Sequence, residues 1–128
     1  MVQKHLIYPQ RIRKIPKHFS WLDHRLVSDH HIDHLNHPAA ALYLFLVTVA
    51  DAQGLSYYSD RVVSQRLSMN ADTLAQARHD LIRIDLIAYQ KPLYQVLALD
   101  TPTEATKTYP GQLQSLAQIF KQIGEGVS

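Results

Sequence analysis

The chain has 128 residues, of which 46% are hydrophobic and 19% are charged. This length and composition suffice for one domain with a core, and they exclude a wholly disordered chain. The absence of cysteine excludes disulfides and thiolate metal sites and fits a reducing compartment. Because no apolar run is long enough to span a bilayer, we expect a soluble, cytoplasmic protein.

The net charge of +2 is small, but the charges are unevenly distributed. Residues 1–18 carry five basic side chains and no acidic one, namely Lys4, Arg11, Arg13, Lys14 and Lys17. Two prolines and the lack of a helical period predict an extended arm. A basic arm on a nearly neutral body is suited to phosphate contacts, and a solubilising tail is the alternative reading.

The first predicted helices lie between residues 19 and 50. The apolar spacing indicates one or two short helices within residues 19–35. A clearer helix follows over 39–50, with Asn36 or His37 as its cap and Pro38 in the first turn, where a missing N–H is harmless. Since this helix is apolar on nearly every side, we expect it to form the buried centre of the domain.

The second half of the chain predicts two helices followed by a hairpin. The predicted order is an extended piece at 55–58, a helix from the Ser59 cap to about Leu67, a break at 68–70, a helix from about Asp72 to Ile84, and strands at 86–89 and 93–99. Beyond these, residues 100–110 are predicted to be a linker, and residues 111–128 a C-terminal amphipathic helix with a short tail.

The two helices around the break have the pattern of a helix-turn-helix, in which the second helix can lie in the major groove. Leu74, Ala77 and Leu81 are spaced to share one face, which would pack inward with Val62, Val63, Leu67 and Met69. The opposite face is predicted to present side chains that can form hydrogen bonds, namely Thr73, Gln76, His79, Asp80 and Arg83.

Residues 69–81, followed by Leu86-Ile87, resemble the recognition helix and strand entry of winged-helix regulators of the gluconate-repressor (GntR) type. Together with the 39–53 helix and Gly54-Leu55-Ser56, they also resemble winged-helix modules of bacterial replication initiation, of the DnaD and plasmid-initiator sort. The resemblance covers roughly residues 36–99. It implies a mainly α fold with a small β-hairpin wing, the winged helix-turn-helix, within a domain over 19–99.

The sequence departs from that pattern in two ways. Asp85 stands where the family has glycine, at a turn that often needs a positive φ, which Asp tolerates better than most residues. The recognition helix also balances Asp72 and Asp80 against Arg78 and Arg83, so it is neutral. Phosphate contacts would therefore come from elsewhere, namely from the arm, Arg61, Arg66 and Lys91.

A histidine-rich stretch and several tyrosines invite other readings. His18, His24, His30, His31, His34 and His37 lie within twenty residues, and the i, i+4 spacing of His30 and His34 could serve zinc. Without further ligands or a metal motif, we expect no metal site and no cofactor.

The tyrosines are expected to pack on a small sheet more than to stack on bases. With only four glycines and no catalytic motif, the chain is not expected to be an enzyme.

These patterns predict a protein that binds duplex DNA, either a transcription regulator or a replication-linked protein of a bacterial genome or mobile element. The predicted DNA-binding residues are Asn70, Thr73, Gln76, His79, Arg83, Lys91, Arg61, Arg11, Arg13 and Lys14. The alternatives are a protein-interaction module, which docks its neutral helix on a partner and forms a homodimer through the C-terminal helix, and, least favoured, a metal-binding or sensory domain.

Overall fold

The computed structural model describes residues 3–100, and it is helix-rich with a small three-stranded antiparallel sheet. The elements in chain order are α1 (Arg25–Ser28), α2 (His37–Val49), β1 (Leu55–Tyr57), α3 (Asp60–Leu67), α4 (Ala71–Arg83), β2 (Ile87–Gln90) and β3 (Leu93–Val96), with short 3-10 segments at Pro9–Arg11 and His31–His34. The predicted C-terminal helix, and all of the predicted linker except residue 100, lie outside the described residues.

Helix α2 begins as its sequence predicts. The Asn36 side chain accepts a hydrogen bond from the Ala39 N–H at 3.0 Å, and Pro38 lies in the first turn. Leu42 and Leu46 are fully buried, so α2 does supply the centre of the core. The exposed residues of α2 form one narrow strip, His37, Leu44 and Thr48, in which Leu44 is 56% exposed.

Helices α3 and α4 are joined by a short left-handed turn. Ser59 caps α3 through a hydrogen bond from the Val62 N–H, and Ser68 ends it with a φ of 55°. Helix α4 begins at Ala71, one residue before the predicted start, and Asn70 caps it. The expected positive φ of Asp85 is confirmed, at 62°. The buried side chains between the helices and the sheet form the hydrophobic core, which consists of Leu26, Ala39, Leu42, Tyr43, Leu46, Val63, Leu74, Ala77, Leu81, Leu86, Ile87 and Tyr94.

The sheet has the strand order β1-β3-β2, with both pairs antiparallel. Strands β2 and β3 form the predicted hairpin, and Tyr89 lies opposite Tyr94. The strand over 93–99 was predicted too long, since β3 ends at Val96. The extended piece after α2 becomes β1, which pairs with β3 through Ser56 opposite Tyr94. The hairpin is thereby held against the end of α2.

The turn before β1 depends on a glycine. Gly54 has a φ of 88°, and its carbonyl accepts a hydrogen bond from the Val96 N–H at 2.8 Å. A Cβ at this position would lie 2.6 Å from the Val96 carbonyl oxygen, which is backbone and cannot easily move away. Residue 54 must therefore lack a side chain for β1 to meet β3.

Gly54→Ala is expected to lower the free energy of unfolding by about 2–4 kcal/mol, because the left-handed backbone and the clash with Val96 both add strain. Chemical denaturation of the two proteins measures the difference. The control is Gln53→Ala, an exposed neighbour in the same turn, which should change stability by less than about 0.5 kcal/mol. Equal stability of Gly54→Ala and wild type would contradict this account of the turn.

The N-terminal segment lies on the outside of the fold. Every residue from 3 to 22 is exposed. Apart from the 3-10 turn at Pro9–Arg11, this segment contains no helix or strand. Ser20 donates a hydrogen bond to the Thr48 carbonyl. The five basic residues of the arm are therefore accessible to solvent. Within residues 3–100, none of the helices combines the length and the apolar character needed to cross a bilayer.

Candidate nucleic-acid interface

Helix α4 presents one face to the core and the other to solvent. Its inward residues Leu74, Ala77 and Leu81 are each at most 1% exposed, as their spacing predicts. The residues exposed along the rest of the helix are Ala71, Asp72, Ala75, Gln76, His79, Ile82 and Arg83. This set defines what is called here the outer face of α4. Three residues predicted to contact DNA, Gln76, His79 and Arg83, belong to it.

The outer face also carries three apolar residues, Ala71, Ala75 and Ile82, which are not among the predicted contacts. Ala75 and Ile82 are exposed, Ile82 to 40%, and they are spaced i, i+7 with His79 between them. The helical period places both residues about 100° around the helix from Leu74 and Leu81, away from the buried face. In a major groove, such groups can contact the methyl group of thymine.

Two predicted contact residues, Asn70 and Thr73, are less accessible to DNA than the residues of the outer face. The Asn70 side-chain oxygen accepts the Thr73 N–H at 2.8 Å, so this oxygen is occupied in capping α4, although the residue is exposed. Thr73 itself is half-buried. Both residues lie at the start of the helix, the end that enters the groove in helix-turn-helix proteins.

Asp80 does not lie on the exposed face, contrary to the sequence analysis. Its side chain is only 14% exposed and accepts a hydrogen bond from Asn36 Nδ2 at 3.4 Å, across the gap to the start of α2. Two outer-face residues reach back to the same carboxylate: Gln76 Nε2 donates to Asp80 Oδ1 at 2.9 Å, and Arg83 Nη2 lies 3.6 Å from that oxygen. The packing of α4 on α2 thus turns Asp80 inward and makes it a shared acceptor.

Arg78 fastens α4 to the rest of the domain. Its Nη1 donates to Asp60 Oδ1 of α3 at 2.9 Å and to Tyr94 Oη of β3 at 2.8 Å. Its guanidinium carbon lies 4.4 Å from the centre of the Tyr89 ring on β2. Burial opposes the charge of Arg78, but the hydrogen bonds with Asp60 and Tyr94 outweigh it and raise the pKa of Arg78. This cation holds α3, α4 and the hairpin in one arrangement.

The tyrosines fall into two groups. Tyr94 is fully buried and packs against Tyr89 with ring centres 4.6 Å apart, while Tyr58 packs edge-on against Phe45. These three act as packing residues of the sheet and its neighbours, as predicted. Tyr57, in contrast, is 70% exposed. Of Tyr57, Tyr58, Tyr89 and Tyr94, only Tyr57 therefore has a ring that is largely accessible to a partner.

The remaining predicted contacts are basic residues on separate elements. Arg61 lies near the start of α3 and Lys91 in the turn between β2 and β3, and both are exposed. The arm residues Arg11, Arg13 and Lys14 are exposed as well. Because these cations extend into water, each can approach a phosphate without first leaving a buried position.

The histidine-rich stretch does not place His30 and His34 on one α-helical face. His30 has a left-handed φ of 64° and precedes the 3-10 segment His31–His34, so His30 and His34 are not one α-helical turn apart. His30 Nδ1 instead lies 3.0 Å from Asp33 Oδ2. Within the part of the chain that the structure describes, no group of three or more histidine, aspartate or glutamate side chains could hold a metal ion.

A cavity of about 640 Å³ lies away from α4, between residues 19–25, the end of α2 and the segment after β3. Arg25 at its edge is paired with Asp23 at 2.7 Å and with Asp100 at 2.6 Å. The hydrogen bonds from Arg25 lower the pKa of Asp23 to about 2. Arg25 and these two carboxylates therefore form an ion-paired cluster at the edge of the cavity.

Comparison with protein-family models, curated proteins and solved structures gave no match.

Proposed function

We propose that the chain is a DNA-binding protein of the winged helix-turn-helix type, acting as a transcription regulator or in the replication of a bacterial genome or mobile element. One observation carries the proposal: α4 follows α3 after a short left-handed turn, is held by the contacts of Arg78, and leaves open to solvent an outer face that includes Gln76, His79 and Arg83. A helix held in this way can enter a major groove without rearranging the domain. The hairpin that follows α4 would be the wing.

The proposed contacts divide into base reading and phosphate binding. Gln76 and His79 lie in the middle of the outer face, where a helix in the groove meets base edges, and glutamine can pair with adenine through two hydrogen bonds. Arg83 at the end of the helix, Lys91 in the wing and Arg61 on α3 would contact phosphates. The basic arm would supply further phosphate contacts, since α4 itself is nearly neutral.

A protein-interaction module is the second candidate, and one observation favours it. The outer face includes exposed Ile82, and within α4 each arginine lies near a carboxylate, Arg78 at Asp60 and Arg83 at Asp80. A neutral surface with an apolar group suits a protein partner as well as a groove. Fluorescence anisotropy with a random labelled duplex separates the two candidates. DNA binding predicts affinity that falls linearly in log–log form with salt, whereas a protein-docking module predicts no binding.

Two single substitutions test how α4 contacts DNA. Gln76→Ala is expected to spare folding, because the side chain is exposed, and to cost about 1–3 kcal/mol of discrimination at one base position. Arg83→Ala should weaken binding to all sequences alike, since a phosphate contact carries no sequence information. Selection from a randomised duplex library, followed by anisotropy, measures both effects. If the two variants keep the wild-type preference and affinity, α4 is not the reading helix.

A further inference from the structure

We propose that Asp80 is a specificity-determining positioning residue, which holds the amide of Gln76 so that this side chain accepts adenine and rejects guanine. The inference rests on the proposed function, because it concerns how α4 would read a base. Asp80 itself would not touch DNA, since its side chain is only 14% exposed. Its effect would pass through one hydrogen bond, from Gln76 Nε2 to Asp80 Oδ1 at 2.9 Å.

The carboxylate is well placed to orient a neighbouring amide because it is held from its other side. Asp80 Oδ2 accepts a hydrogen bond from Asn36 Nδ2 at 3.4 Å, and the Asn36 oxygen is in turn fixed by the Ala39 N–H at 3.0 Å. The start of α2 therefore anchors Asp80, and Asp80 anchors Gln76. Residues 76 and 80 are also one turn apart on the same helix, so their spacing does not depend on loop movements.

The hydrogen-bonding capacity of the held amide decides which base it can pair with. A glutamine amide has two N–H donors and one oxygen acceptor. With one N–H given to Asp80, one donor and one acceptor remain. Adenine presents an acceptor, N7, and a donor, the N6 amino group, and matches this pair, whereas guanine presents two acceptors, N7 and O6. To pair with guanine, the glutamine would need to donate both of its N–H groups to N7 and O6. While Asp80 holds the amide, one of these two guanine acceptors faces the glutamine oxygen, which is also an acceptor.

The experiment first finds the base that Gln76 reads and then varies Asp80. Selection from a randomised duplex library with wild type and Gln76→Ala identifies the position whose preference depends on Gln76. Anisotropy then compares duplexes with adenine and with guanine at that position. In Asp80→Ala the amide is released, and the adenine-to-guanine affinity ratio is expected to fall about tenfold. In Asp80→Asn one acceptor oxygen remains, which can accept from Gln76 or from Asn36 but not from both, so the ratio is expected to lie between those of wild type and Asp80→Ala.

A matched control separates orientation from charge. Asp72→Ala removes the same charge from an exposed position on the same helix, so it should tighten binding to both duplexes at low salt while leaving their ratio unchanged. Circular dichroism verifies that each variant is folded. Should Asp80→Ala prove unstable, Asp80→Leu fills the half-buried site with a side chain of similar shape and carries the same expectation for the ratio.

The outcomes distinguish this inference from the proposed function. If Gln76→Ala relaxes one position and neither Asp80→Ala nor Asp80→Leu changes the adenine-to-guanine ratio there, the positioning role is overturned and DNA binding stands. If Asp72→Ala lowers the ratio as much as Asp80→Ala does, charge and not orientation is responsible, and the inference is again overturned. If Gln76→Ala changes no base preference, base reading by α4 and the role of Asp80 both fail.

Discussion

Replacing Leu46 with aspartate is expected to unfold the domain. Leu46 lies in the middle of α2, is 0% exposed and belongs to the single core shared by the helices and the sheet. An aspartate there would either leave a charge without a partner or take up a proton, and in both cases the leucine packing is lost. The combined cost of several kcal/mol is comparable to the whole stability of a small domain, about 5–15 kcal/mol.

The matched control for this prediction lies two residues away. Leu44 belongs to the same helix but is 56% exposed, so Leu44→Asp adds the same charge without burying it. Circular dichroism during heating should show a cooperative transition for Leu44→Asp and a greatly reduced or absent one for Leu46→Asp. Equal melting curves for the two variants would mean that α2 is not the centre of the core.

Removing the three central cations of the arm is expected to weaken DNA binding strongly and to flatten its dependence on salt. Arg11, Arg13 and Lys14 are all exposed, and each phosphate contact releases counterions from the duplex. Each lost contact lowers the log–log slope of affinity against salt by about 0.9, so the triple alanine variant should lose about 2.7 from the slope. Because the arm lies outside the core, the triple alanine variant should have the same melting temperature as wild type.

The slope is measured by anisotropy over a series of salt concentrations, with one random duplex throughout. A charge-preserving variant, Arg11→Lys with Arg13→Lys and Lys14→Arg, serves as the control and should keep the wild-type slope. If the triple alanine variant also keeps that slope, the arm is not in contact with phosphate and acts as a solubilising tail. This test depends only on charge and is independent of the recognition sequence.

Much of the secondary structure followed from local chemistry that each segment carries within itself. Asn36 and Ser59 cap their helices as expected, because a side-chain oxygen two or three residues before a free N–H needs no distant partner. The positive φ of Asp85 likewise reflects a short polar side chain that tolerates the left-handed region. The inward face of α4 was set by the helical period of Leu74 and Leu81.

The failed placement of Asp80 on the exposed face, like the exposure of Leu44, concerns what lies beside an element. Leu44 is as apolar as Leu46, and only the position of the neighbouring elements leaves one in water and buries the other. His30 and His34 have the i, i+4 spacing of one helical face, but the left-handed φ of His30 excludes an α-helix that contains both. Periodicity within a segment does not determine how many of its sides other elements cover.

What the sequence by itself determined, then, is where the helices and the hairpin lie and which face of α4 turns to the core. The roles of Asp80 and Arg78 were decided only by tertiary structure. Asp80 becomes a shared acceptor because α2 packs beside α4 and brings Asn36 to it, and Arg78 becomes a brace because Asp60 and Tyr94 meet it from other elements. A charged side chain takes its partners from whichever neighbouring elements come within reach of its polar end, and the packing of the hydrophobic core decides which elements those are.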